Sequence, residues 1–103
     1  MNRITRIEQM EECLDLASEA VSKLSEAIDV YKKAQPALRR LCDYYGSTLW
    51  MQDYEADEAG KLPADLKRGV LSEDAVYDLM DDNRELVLTM LRLASAAIEK
   101  HTV

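Results

Sequence analysis

The sequence predicts an all-α fold, a three-helix bundle with long first and third helices at about 3–34, 36–56 and 72–100, joined to one another by Pro36 and by a connector over 57–71. Three observations carry that expectation. Apolar side chains recur in alternating steps of three and four from Ile7 to Tyr31 and again from Val76 to Ala97, which is the spacing of a helix seam. Glycine and proline fall between these two stretches and not within them. A chain of 103 residues, 48% hydrophobic and 32% charged, suits one folded domain and is too apolar for a disordered chain.

The first helix rests on Ile7, Met10, Leu14, Ala17, Val21, Leu24, Ile28 and Tyr31, with Glu, Lys, Asp and Ser filling the other faces. Pro36 lacks an amide donor and biases Gln35 away from helical dihedrals, so the helix is expected to stop near Ala34. Lys32-Lys33-Ala34-Gln35 offers no Gly or Asn for an easy left-handed turn, so a kinked but continuous first helix paired with the last helix is the alternative. The break is preferred because a compact domain hides the seam better.

A second helix starting at Pro36 would carry Leu38, Leu41, Cys42, Tyr45 and Leu49 on one side. The connector that follows is long for a helical bundle, and Leu62, Leu66 and Val70 are expected to pin it to the core. Ser72 is a good N-cap for the third helix. Glu73 and Asp74 complement the helix dipole there, and Leu71 is placed to staple onto Val76. Gly69 just upstream would tolerate Ala poorly if it held a positive φ. The third seam runs through Val76, Leu79, Asn83, Leu86, Met90, Leu93 and Ala97 to a frayed end at His101-Thr102-Val103.

A net charge of −7 and a pI near 4.6 exclude a role built on phosphate neutralisation, so no nucleic-acid partner is expected. No apolar run approaches the roughly 20 residues that span a bilayer, and Met1-Asn2-Arg3-Ile4-Thr5-Arg6 has no apolar stretch after it. No membrane partner and a cytoplasmic location follow as expectations. Cys13 and Cys42 match no metal-ligand or CxxC spacing, and each reads as a reduced, small hydrophobe.

The segment Tyr44-Tyr45-x-Ser47-x-x-Trp50-x-x-Asp53, with Gly60-Lys61-Leu62-Pro63 and Lys67-Arg68-Gly69-Val70-Leu71-Ser72-Glu73-Asp74, resembles a family of small bacterial proteins catalogued only as a domain of unknown function. The likeness is sharp over the middle third and rests on pattern alone in the flanking helices. It implies a bacterial, cytosolic, helical single-domain protein and supplies no catalytic residues.

The candidate binding residues are Tyr44, Tyr45, Ser47, Trp50, Asp53 and Tyr54, in a segment holding four of the six aromatic residues of a chain with no Phe. On one continuous helix Ser47, Trp50 and Tyr54 share a face, with Tyr45 and Leu49 on a neighbouring one. Two readings compete for them. As a binding wall, the rings offer large apolar bodies with polar handles. As a core lid, they pack on Leu62, Leu66 and Tyr77 with their polar tips on connector backbone, and a chain lacking Phe needs Tyr and Trp as bulk. The lid is the favoured reading.

Other constellations point to weaker chemistry. Glu55-x-x-Glu58 and Asp78-x-x-Asp81 have the spacing with which helical nucleotide pyrophosphohydrolases hold divalent metal, but such spacing is cheap among 20 acidic residues. Lys67-Arg68-Gly69 before a helix start hints at an anion site that Glu73 and Asp74 would repel. Pairing of Lys67 and Arg68 with nearby carboxylates is simpler. His101, the single histidine, lies in the tail, so no base is available for nucleophilic catalysis. No catalytic residue, metal ligand or cofactor is assigned. The function expected is a non-enzymatic interaction or scaffold module, a homodimer with a possible protein or peptide partner; the alternative is a metal-dependent enzyme that uses the helix carboxylates.

Overall fold

The computed structural model describes residues 2–101; Met1, Thr102 and Val103 lie outside the described residues, and with the last two most of the expected frayed end. The chain is all-α, with helices α1 (Arg3–Tyr45), α2 (Thr48–Glu58) and α3 (Glu73–Glu99), a 3-10 turn at Gly69–Leu71 and no strand among the described residues. The long first and third helices are those the two seams predict. The residues group into two compact units, Met1–Leu38 and Arg39–Val103.

The first unit is helix alone. Asn2 caps it, its side-chain oxygen accepting from the Thr5 amide at 2.8 Å and its carbonyl from the Arg6 amide at 3.1 Å. The expected break at Pro36 does not occur. α1 runs 43 residues through Pro36, roughly 65 Å at 1.5 Å per residue. The reason is visible in the register, because after Tyr31 the alternating steps continue through Gln35, Leu38, Cys42 and Tyr45 without an insertion. Pro36 sits beside this seam, where its ring interrupts no seam position, and its cost is a lost backbone bond to Lys32 in a helix that has no turn-forming residue to exploit. The Gln35 side-chain amide donates to the Tyr31 carbonyl at 3.4 Å in the same turn.

No residue of α1 is buried. Ile7, Leu14 and Leu24 are 53%, 58% and 58% exposed, and the whole seam from Ile7 to Ile28 is open. A single helix has no second surface against which to bury its own stripe.

The second unit contains the chain reversal that the proline does not make. The Gly46 amide donates to the Cys42 carbonyl at 3.4 Å and the Ser47 amide to the Tyr44 carbonyl at 3.0 Å, closing α1. Ser47, extended at φ −96° and ψ 162°, then accepts from the Trp50 amide and starts α2. The second helix expected at 36–56 is therefore corrected to Thr48–Glu58. Its C-terminus is a Schellman closure: the Gly60 amide reaches the Asp57 carbonyl and the Lys61 amide the Ala56 carbonyl, both at 3.0 Å, with Gly60 at φ 69°. Gly60 is the glycine at which a left-handed conformation is needed. Gly69 does not meet the condition of a positive φ, and a Cβ there would meet nothing within 4 Å.

Ser72 caps α3 as expected, accepting from the Ala75 amide at 3.4 Å, with Glu73 and Asp74 in the first helical turn. Among the described residues the buried apolar ones are Trp50 of α2, Leu71 of the 3-10 turn and Val76 of α3, at 8%, 7% and 4% exposure. Their common location puts the core of this unit where α2, the 3-10 turn and the start of α3 meet.

Candidate functional site

All six candidate residues lie in the second unit, and the Gly46–Ser47 reversal brings them together from two helices. Tyr44 and Tyr45 end α1, Ser47 caps α2, and Trp50, Asp53 and Tyr54 lie on α2. The single shared face expected for Ser47, Trp50 and Tyr54 is thus corrected, since Ser47 precedes the helix. Trp50 and Tyr54, one turn apart, stack with ring centroids 5.2 Å apart and planes at 19°. The Tyr45 ring meets Trp50 edge-on at 5.1 Å and 69°.

The polar tips of these three rings converge on the entry to α3. Trp50 Nε1 donates to the Val70 carbonyl at 2.9 Å, Tyr45 Oη to the Glu73 carbonyl at 3.0 Å and Tyr54 Oη to Glu73 Oε1 at 3.1 Å. The last bond, with the negative charges of Glu58, Glu73 and Asp57 around it, raises the Tyr54 phenol above its ordinary pKa. The segment from Val70 to Glu73 is thereby held at its two ends. Tyr44 makes a separate strut between helices, donating to Asp53 Oδ2 at 2.6 Å. That bond to a carboxylate, with some burial and the Asp53 charge, pushes the Tyr44 phenol up to about 12.

Trp50 is buried with its only donor engaged, which favours the lid over the wall. Of the residues expected under the lid, Tyr77 and Leu66 are exposed and Leu62 is half-buried; Val70, expected to pin the connector, is exposed. The connector is held by Arg68, for which the sequence suggested a weak anion site or, more simply, a pair with a nearby carboxylate. Its guanidinium pairs with Asp57 at 2.5 Å and donates to the Pro63 carbonyl, and its Nε donates to the Leu66 carbonyl at 3.2 Å. Glu73, Leu71 and Val76 complete the arrangement, and the staple motif before Ser72 was the signal for the last two. A cleft of about 240 Å³ opens beside the clamp, lined in part by Tyr44, Asp53, Leu62, Leu66 and Arg68.

Among the described residues no three His, Cys, Asp or Glu side chains converge to hold a metal ion, so the Glu55/Glu58 and Asp78/Asp81 pairs do not combine into a centre. Cys13 and Cys42 are both free and exposed. Among the described residues no helix is long and apolar enough to cross a membrane.

No curated protein and no solved structure matches the chain significantly. A family profile does match, over residues 7–93, from the first seam residue of α1 through the clamp to Leu93 of α3. The chain belongs to the family so defined, DUF4298, described as a domain of unknown function.

Proposed function

We propose that the protein is a non-enzymatic scaffold or interaction module that self-associates, with α1 as its docking element and the aromatic clamp as the device that holds α2 and the start of α3 together. The observation that carries this reading is the seam of α1. Eight residues in helical register, from Ile7 to Tyr31, form one apolar stripe with almost none of it covered. A stripe of this length far exceeds the scattered exposed apolar residues normal on a monomer, and its burial against a second helix is a large favourable term. The clamp contributes no nucleophile, base or metal ligand set to the region that the sequence singles out. The unpaired cysteines suit a reducing, cytoplasmic setting.

Light scattering at micromolar concentration tests the reading. A self-associating module gives about twice the 11.7 kDa chain mass. A monomer that persists to high concentration removes its basis.

A further inference from the structure

We infer that the occupant of the α1 seam is α1 of a second copy, running antiparallel. This rests on the self-association proposed above and specifies its partner surface and orientation. The ground for it is the distribution of charge along the helix. Residues 8–19 carry Glu8, Glu11, Glu12, Asp15 and Glu19 with no Lys or Arg, whereas residues 30–40 carry Lys32, Lys33, Arg39 and Arg40 with no Asp or Glu. Counted over the whole helix the contrast keeps its sign but is smaller: residues 3–24 carry five acidic and three basic side chains, residues 25–45 four basic and three acidic. Two copies laid parallel set acidic half on acidic half and basic half on basic half; laid antiparallel, each acidic half faces a basic one.

The seam positions fit this orientation. With Ile7 opposite Leu38 of a second copy, Leu14 meets Tyr31 and Val21 meets Leu24; one heptad further along, Leu14 meets Leu38 and Val21 meets Tyr31. The residues that follow Met10, Tyr31 and Leu38 flank the seam and face their own kind across an antiparallel pair. These are Glu11, Lys32 and Arg39, and Glu11 meets Lys32 in the first register and Arg39 in the second. The opposite flank holds Ala20, Ala27 and Ala34, small enough for close approach of the two helices. A parallel pair gains one attraction, Arg6 against Glu11, but loses the match of the halves.

The experiment measures orientation directly. In full-length Cys42→Ala protein carrying a spin label on Cys13, pulsed electron-resonance spectroscopy should give an intermolecular distance of roughly 30–40 Å, from a 1.5 Å rise over the residues separating the two labels. A distance under about 15 Å means a parallel pair, and it overturns the orientation while leaving self-association standing. An absence of coupling between chains at a concentration where the unlabelled protein is also monomeric by light scattering overturns both. A second, label-free measurement uses charge exchange: Glu11→Lys should weaken dimerisation roughly tenfold, by two lost pairs and two repulsions. Adding Lys32→Glu and Arg39→Glu should restore it. In a parallel pair Glu11 faces Arg6, and the triple variant stays as weak as the single one; that outcome overturns the proposal.

Discussion

Replacing Trp50 with Ala probes the clamp at its centre. The indole is 8% exposed, meets Tyr45 edge-on, stacks on Tyr54, and donates to the Val70 carbonyl. Removing a buried aromatic ring costs about 3–5 kcal/mol, of which each ring pair accounts for about 0.5–1.5 and the orphaned carbonyl for about 1. The clamp lies close to the surface and partly relaxes, so the lower end, about 3 kcal/mol, is expected. Because the substitution removes the only tryptophan, unfolding is followed by circular dichroism in urea, with amide exchange at Leu71 to Val76 as the local readout. The first turn of α3 should lose protection while α1 keeps its helical signal. Trp50→Phe retains a ring and loses the donor, and should cost about 1 kcal/mol. If Trp50→Ala left both the urea midpoint and the exchange at Leu71 to Val76 unchanged, the ring would not be holding α3, and the binding-wall reading would replace the lid.

The remaining expectations follow from the caps, the connector and one phenol. Ser72→Ala should lose about 1 kcal/mol because the Ala75 amide loses its acceptor, and Ser47→Ala should lose a similar amount through the Trp50 amide, both read from urea midpoints. Gly60→Ala should destabilise by about 1 kcal/mol, since Gly60 sits at φ 69°, whereas Gly69→Ala, in open space at an ordinary φ, should be neutral or slightly stabilising by thermal melting. Arg68→Ala should cost about 1 kcal/mol after allowance for the partial exposure of its pair with Asp57, and should speed proteolysis between Gly60 and Leu66. The Tyr44 phenol is raised to about 12 in the folded state from an ordinary value near 10, so its contribution is intact below pH 10 and is lost as pH rises through 12. Tyrosinate absorbance should show one phenol titrating late by reason of Asp53, and Asp53→Asn should move it back toward 10.

The two long helices were legible because their seams are long and their other faces are polar, and the Ser72 start was legible because cap, acidic first turn and staple coincide. Pro36 was misread because a local dihedral preference was weighed against the helix without following the heptad across it. Gln35, Leu38, Cys42 and Tyr45 keep the step, and a continuous register outweighs one missing hydrogen bond. The true reversal at Gly46–Ser47 had its own signal, a glycine followed by a capping serine, which the crowd of aromatic residues obscured. At the clamp, the sequence supplied the residue types and their polar tips. It also supplied connector backbone as their target, which Trp50 meets at Val70, but not which carbonyls, since every residue carries one. Arg68 was hidden for the same reason, two of its three acceptors being backbone oxygens.

The account depends most on the exposed seam of α1 being an interface. Sedimentation equilibrium of the full chain beside Leu14→Glu/Leu24→Glu, two exposed seam positions 58% accessible, tests this most directly. The predicted result is a mass near twice 11.7 kDa for the natural sequence and near 11.7 kDa for the variant, with exchange protection at Leu71 to Val76 the same in both. Equal masses for the two proteins, whether monomer or dimer, would contradict it.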